Sequence, residues 1–176
     1  MRRPHLPLGS AARGAVAGAV GTLAMDLVWY QRYRRGGGAQ KFVPWELSTS
    51  VHGWEGAPAP ALVGKRLFEA AFHREPPARL AAVTNDVVHW SMGVVSGAVY
   101  GVVAGSVHHR RFQSAVDSAL GPVVWASGYA ALPRLGIYKR IWDYGLRTLA
   151  QDLSAHTVYG GVTAGTFRTL TALSSK

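Results

Sequence analysis

The chain has 176 residues, 48% of them hydrophobic, with 21 glycines, no cysteine and a net charge of +10. The absence of cysteine excludes disulfides, thiolate catalysis and cysteine-bound zinc or iron–sulfur sites. The excess of Lys and Arg would suit nucleic acid, but these residues flank apolar segments and do not interleave with aromatic residues on one face. The composition favours an all-α integral membrane protein, with residues 1–176 as one domain, over a soluble bundle of buried helices.

The first predicted helix covers residues 11–33 and carries a small residue at every fourth position. Gly14, Gly18 and Thr22 form a ridge that leads to Asp26, a carboxylate inside the apolar segment. Aromatic residues and arginines close the segment at its carboxyl end, as at a membrane interface. The N-terminus resembles a signal peptide, but no clear cleavage site follows, so we expect the helix to be retained.

A long connection, residues 34–84, follows and is rich in proline and tryptophan. One amphipathic stretch inside it, residues 60–73, predicts a short helix that lies on the membrane surface. Connections of this length are uncommon in compact proteins unless they have a function or lie on an interface.

The second predicted helix covers residues 87–107 and is the most apolar part of the chain. Its 21 residues reach roughly 31 Å, which is about the thickness of a bilayer's hydrocarbon core. Glycines at every fourth position form a packing ridge, and we expect this helix to be central in the bundle. These glycines are Gly93, Gly97, Gly101 and Gly105. His89 lies one turn before the ridge and on the same face.

The third and fourth predicted helices cover residues 115–137 and 153–173. Two prolines, Pro122 and Pro133, predict a kinked third helix. In the fourth helix, His156 precedes Gly160 by four residues, and Arg168 is expected to extend to the membrane interface. The spacing of His156 and Gly160 repeats that of His89 and Gly93, which indicates a tandem 2+2 helix repeat.

Six residues are candidates for a polar site inside the predicted four-helix bundle: Asp26, His89, His156, Asn85, Asp152 and Tyr129. All are expected in one half of the membrane, on faces that point away from lipid because exposed charges are costly there. Such a site could relay protons or bind a small polar solute. A purely structural role for the same hydrogen bonds, a two-histidine metal site and a bis-histidine haem are the alternatives. No spacing places two metal ligands on one helix, so we expect neither metal nor cofactor.

The order of these motifs resembles a family of small uncharacterised four-helix membrane proteins from actinobacteria. The match rests on His89-Trp90, on Trp142-Asp143 and on the run from Asp152 to Gly160. The chain is more distantly similar to the YagU-like inner-membrane proteins of bacteria. This resemblance implies a multi-pass protein of the cytoplasmic membrane and an association with acid response, and it supplies no catalytic residues.

The predicted function is therefore a membrane protein whose interior site handles protons or a small polar solute. The first alternative is an assembly factor that packs its glycine ridges against a partner membrane protein. A membrane enzyme that acts on lipid is the third hypothesis, so enzymatic activity is left open although it is not favoured. We expect lipid and either a homo-oligomer or that partner around the chain, and no nucleic acid. Twelve of the 19 Lys and Arg fall on the side of the long connection, which predicts that this side is cytoplasmic. The three arginines before the first helix favour the opposite orientation.

Overall fold

The computed structural model describes residues 7–107 and 109–174, and this part of the chain is entirely helical. The described α-helices are α1 (Pro7–Arg35), α2 (Phe42–Glu46), α3 (Ala59–Phe72), α4 (Ala81–Ser106), α5 (Arg110–Ala131) and α6 (Leu146–Leu173). Short 3-10 segments occur at Ala78–Leu80, Leu132–Leu135 and Ile141–Asp143. The predicted all-α class is confirmed.

The four long helices occur where the sequence predicts them, but their ends differ. Helices α4 and α6 begin at Ala81 and Leu146, ahead of the predicted starts, because polar residues before the apolar segments are also helical. Helix α5 continues through Pro122 and ends at Ala131. The 3-10 turn that follows closes at Gly136, whose φ of 68° suits glycine.

Helix α1 is the centre of the packing. It contacts α4 on one side and α6 on another, while α5 packs on α6 and α3 packs on α4. Helix α4, which the sequence predicts to be central, contacts α1, α3 and, less extensively, α5. Helix α4 is the most apolar helix by hydropathy, but α1 packs against two long helices, α4 and α6, through two of its faces.

Glycines bring α1 and α4 into backbone contact. A Cβ atom placed on Gly97 would lie 2.5 Å from the Cα of Gly18, and one on Gly101 would lie 2.8 Å from the Cα of Gly14. Real Cβ atoms do not approach other atoms below 3.0 Å. Glycine at these positions is thus required by the close approach of the two helices, as small-residue ridges allow. At Gly105, the end of the ridge, a Cβ would lie 2.9 Å from the Cβ of Ser10.

Helices α5 and α6 pair in a similar way. A Cβ atom on Gly160 would lie 2.9 Å from the Cα of Gly121. Each half of the chain therefore consists of two helices that cross at glycine, in agreement with the pattern of a tandem repeat. The core between the helices is small and rich in alanine; its members are Ala17, Met25, Tyr100, Ala104, Leu120, Ala155, Tyr159, Ala164 and Phe167.

The long connection folds against the helices. Helix α3 lies on the first turns of α4, where a Cβ on Gly64 would be 3.0 Å from Val88 Cγ2. The indole N–H of Trp54 donates to the carbonyl oxygen of Pro76 at 2.9 Å. Helix α3 matches the predicted segment 60–73, but one of its faces is covered by α4.

Within the described residues, two helical segments, Leu8–Arg35 and Ala78–Ser106, are long and apolar enough to cross a membrane. Core helices of soluble proteins can pass the same test, but they are mostly buried, whereas 33% and 22% of these two apolar windows are buried here. Helices α5 and α6 carry more polar residues and do not meet this criterion. A bundle of four membrane-spanning helices therefore stays a prediction.

Candidate functional site

The centre of the candidate site is the contact between Asp26 of α1 and His89 of α4. The Nε2 atom of His89 lies 2.9 Å from one carboxylate oxygen of Asp26 and 3.1 Å from the other. An ionised carboxylate only accepts hydrogen bonds, so the Nε2–H group donates. Asp26 is 4% exposed. The imidazole of His89 is its main described polar partner and compensates for the burial of the carboxylate.

The glycine contact between α1 and α4 brings these two residues together. A Cβ on Gly93 would lie 3.2 Å from the Cβ of Thr22, so the two helices are still close at that level. Asp26 follows Thr22 by one turn, and His89 precedes Gly93 by one turn in the antiparallel helix. The short carboxylate and the imidazole consequently meet directly across the interface.

The first part of the long connection is tied to α4 beside this pair. Asn85 donates from Nδ2 to the Ser48 hydroxyl oxygen at 2.8 Å, and that hydroxyl donates to Asp86 at 2.6 Å. The indole N–H of Trp90 donates to Glu46 Oε1 at 3.0 Å. These bonds hold a second carboxylate, that of Glu46, near Asp26.

The environment of Glu46 disfavours its ionised form. Partial burial raises the pKa of this carboxyl above its ordinary value, and the negative charge of Asp26 raises it further. The hydrogen bond from Trp90 and the nearby His89 act in the opposite direction but are weaker influences. Two carboxylates thus share one region, and the charge of Asp26 makes Glu46 harder to ionise.

Aromatic rings cover the carboxyl end of α1. The ring of Trp45 lies 5.4 Å from that of Tyr30 and 6.1 Å from that of Tyr33, and Phe42 completes the cluster at 5.2 Å from Tyr30. The Tyr33 hydroxyl accepts the backbone N–H of Gln40 at 3.0 Å. This cluster fixes the connection on α1, as the bonds of Ser48 fix it on α4.

A cleft of about 500 Å³ lies between α1, α4 and the connection. Its polar lining includes both carboxylates, the imidazole and the amide of the site, and its remaining walls are aromatic rings, prolines and a valine. The lining residues are Asp26, Trp29, Arg32, Tyr33, Trp45, Glu46, Ser48, Ser50, Val51, Pro58, Pro60, Asn85 and His89. The Asp26/His89 pair is therefore accessible from the side that carries the long connection.

Arg32 lines the cleft with its guanidinium group, which donates hydrogen bonds to residues of α6. It donates to the carbonyl oxygen of Gln151 and to the Ser154 hydroxyl, both at 2.7 Å. Its guanidinium carbon also lies 4.8 Å from the centre of the Trp29 ring. These contacts link the cleft to α6 and hold the positive charge toward one wall.

Asp26 and His89 meet as predicted, whereas the described hydrogen bond and ion pair of His156 lie within its own helix. The Nδ1 atom of His156 lies 2.9 Å from the carbonyl oxygen of Asp152 and 3.3 Å from the Asp152 carboxylate, one turn earlier in the same helix. Tyr129 belongs to a ring cluster in that half of the chain, 5.3 Å from both Tyr138 and Tyr144. Burial, with the charge of Asp152, raises the pKa of Tyr138 to about 12.

A second polar contact lies toward the other end of the bundle, near the beginning of α5 and the end of α6. Asp117 of α5 accepts a hydrogen bond from the Tyr100 hydroxyl of α4 at 2.5 Å and forms an ion pair with Arg168 of α6. The predicted extension of Arg168 to the interface is thus replaced by pairing across helices. Asp117 joins three helices and has a structural explanation.

Sequence reasoning found Asp26, His89 and Asn85 but missed Glu46, Ser48 and Arg32 as site residues. The Trp45-Glu46 pair stood out in the sequence, but its contact with a helix some 40 residues later leaves no local pattern. Across the described ranges, 7–107 and 109–174, no group of three or more His, Asp or Glu side chains is arranged to hold a metal ion. Comparisons with protein-family models, with curated proteins and with solved structures found no match.

Proposed function

We propose that the chain is a multi-pass protein of the cytoplasmic membrane, with α1, α4, α5 and α6 as its four crossing helices. Its solvent-accessible surface is 11294 Å², whereas a soluble globular protein of this mass exposes roughly 8,300 Å². Large apolar side chains are exposed in stripes along the helices. On α1 and α4 they include Val16, Val20, Leu23, Leu27, Val87, Val95 and Val99. A bilayer is the solvent that suits such stripes.

The polar residues of α5 and α6 are compatible with this placement. Asp117 is paired with Arg168, and Asp152 with His156. Charged groups in membrane segments usually pair with one another and face the protein interior. The excess of positive charge around the long connection supports a cytoplasmic location for the cleft.

The proposed activity is proton transfer through the Asp26/His89 pair. The observation that carries it is a hydrogen-bonded carboxylate and imidazole at the end of a cleft, with the carboxylate almost fully buried. Imidazole exchanges protons near neutral pH, and intramembrane Asp and His residues commonly form proton pathways. Glu46, at the same cleft, supplies a further carboxyl group for proton exchange with the cytoplasm.

The test is proton uptake into liposomes that contain the purified protein and a luminal pH-sensitive dye, driven by a potassium diffusion potential. Asp26→Asn and His89→Gln should each abolish uptake above the level of empty liposomes. His156→Gln is the matched control, because His156 bonds within its own helix, and it should retain uptake. Equal uptake by all four proteins would refute the proposal.

A structural role for the pair is distinguished by stability in detergent. If Asp26→Asn and His89→Gln unfold at much lower temperature than the His156→Gln control, the hydrogen bond serves mainly to hold α1 on α4. If they melt like the wild-type protein and lose proton uptake, the pair is functional.

The alternative of an assembly factor is supported by a different surface. The ridge of α4 is covered by α1, but Gly161 and Gly165 of α6 have no atom within 4 Å of an added Cβ. They line a groove of about 530 Å³ between α5 and α6. Homo-oligomers or a partner membrane protein would therefore use α6, not the ridge formed by Gly93, Gly97 and Gly101.

A further inference from the structure

We propose that the cleft at Asp26 and His89 binds a small organic cation, namely a primary ammonium group on a short alkyl chain. The inference rests on the proposed function, since it uses the same buried carboxylate. It adds the class of ligand that would exchange with the proton.

The charges of the cleft favour a cation. Asp26 and Glu46 line it, and Asp86 lies close enough to Glu46 to influence its ionisation. Against these three carboxylates stand the guanidinium of Arg32 and the imidazole of His89. Arg32 is already engaged by two acceptors on α6. An anion would meet the carboxylates with few donors left to bind it.

The hydrogen-bonding groups point the same way. Asn85 lines the cleft, and its Oδ1 atom is buried without a hydrogen-bond partner in the described structure. Buried acceptors of this kind are costly unless a donor reaches them. Glu46 accepts from Trp90 through Oε1, and its second oxygen can accept as well. A primary ammonium offers three N–H donors, which matches a cleft rich in acceptors.

The walls suit the alkyl part of such a ligand. Tyr33 and Trp45 present aromatic rings to the cleft, and Val51, Pro58 and Pro60 supply apolar surface. Aromatic faces attract cations, and the guanidinium of Arg32 already lies over Trp29. The volume of about 500 Å³ falls within the range of small-molecule sites.

The binding test uses the full chain in phosphatidylcholine nanodiscs, titrated with n-butylammonium and followed by calorimetry. Butylammonium should bind at least about tenfold more tightly than tetramethylammonium, which has no N–H donors. Butyrate should not bind. No heat of binding with butylammonium, or equal affinity for butyrate, would overturn the proposal.

Variants in the two halves of the chain locate the ligand. Glu46→Gln and Trp45→Leu should each weaken butylammonium binding by about tenfold. The controls are Asp143→Asn and Trp142→Leu. Trp142-Asp143 is a pair of tryptophan and acidic residue like Trp45-Glu46, but it lies in the second half of the chain, and Trp142 is 73% exposed. They should leave affinity unchanged. If the control and cleft variants weaken binding equally at unchanged melting temperature, the ligand does not occupy this cleft and the proposal fails.

Two sources of the ammonium group are separated by lipid. Phosphatidylethanolamine carries a primary ammonium, so nanodiscs that contain it should weaken butylammonium binding if the natural ligand is a lipid headgroup. Unchanged affinity identifies a free amine. The proton-uptake assay tests the proposed function independently of the binding assay. If uptake depends on Asp26 and His89 but butylammonium does not bind, the cation proposal is refuted and the proposed function stands.

Discussion

Replacing Gly97 by alanine should destabilise the protein, although alanine is the better helix former. The new Cβ would lie 2.5 Å from the Cα of Gly18, where ordinary contact begins at 3.4 Å. Helices α1 and α4 would have to separate by roughly 1 Å, and overpacking of this kind typically costs about 1–3 kcal/mol. The three nearest atoms, from Gly14 and Gly18, all belong to the backbone, so no side-chain rotation can relieve the clash.

Gly161→Ala is the matched control, because nothing lies within 4 Å of an added Cβ at that position. Both variants gain the same helix propensity, so the difference between them isolates the clash. Thermal unfolding in detergent, followed by tryptophan fluorescence, should place Gly97→Ala about 2–12 °C below the control. A melting temperature equal to or above that of Gly161→Ala would refute the close approach of α1 and α4.

Three further predictions concern charge. The folded-state pKa of Glu46 is raised, so the stability that this carboxyl contributes is fully present below its unfolded-state pKa and is lost as pH rises through its folded-state pKa. Glu46→Gln should therefore be more stable than the wild-type protein at alkaline pH. In acid, the two proteins should have equal denaturation midpoints. Asp117→Ala should cost about 1–3 kcal/mol, because the Tyr100 hydroxyl loses its acceptor, and Arg168→Met should also destabilise the protein, because it leaves the largely buried carboxylate of Asp117 without its ion-pair partner; urea unfolding measures both. A C-terminal reporter should be active only outside the cytoplasm, and activity of a cytoplasm-only tag would reverse the proposed orientation.

Helix positions and the contact of Asp26 with His89 were within reach of the sequence. Small residues at every fourth position lie on one face by helix geometry alone, and two such faces pack together. Asp26 follows the ridge of α1 by one turn, and His89 precedes the ridge of α4 by one turn. In an antiparallel pair the two residues lie at the same level along the helices, which predicts that they meet. The calculation needs only the rise per residue and an antiparallel pair.

The remaining polar residues have several possible partners, and the sequence does not show which of these partners each residue will bind. His156 lies on a small-residue face like that of His89, but Asp152 is four residues away in the same helix and binds it first. Arg168 had an interface within reach, but Asp117 lies nearer. The path of the long connection is fixed by single hydrogen bonds, which have no periodicity.

The difference between the two halves explains why only one of them forms the cleft. At the position of Asp152, the first half has Asn85, whose amide lacks the charge that would hold a histidine and instead donates to Ser48. His89 is thereby left to Asp26 on the neighbouring helix, and Ser48 anchors the connection that brings Glu46 and Trp45 to the site. The second half connects its helices through the shorter segment 132–145, whose Tyr138 and Tyr144 pack against Tyr129. The cleft beside α1 and α4 thus depends on one amide and on a longer connection.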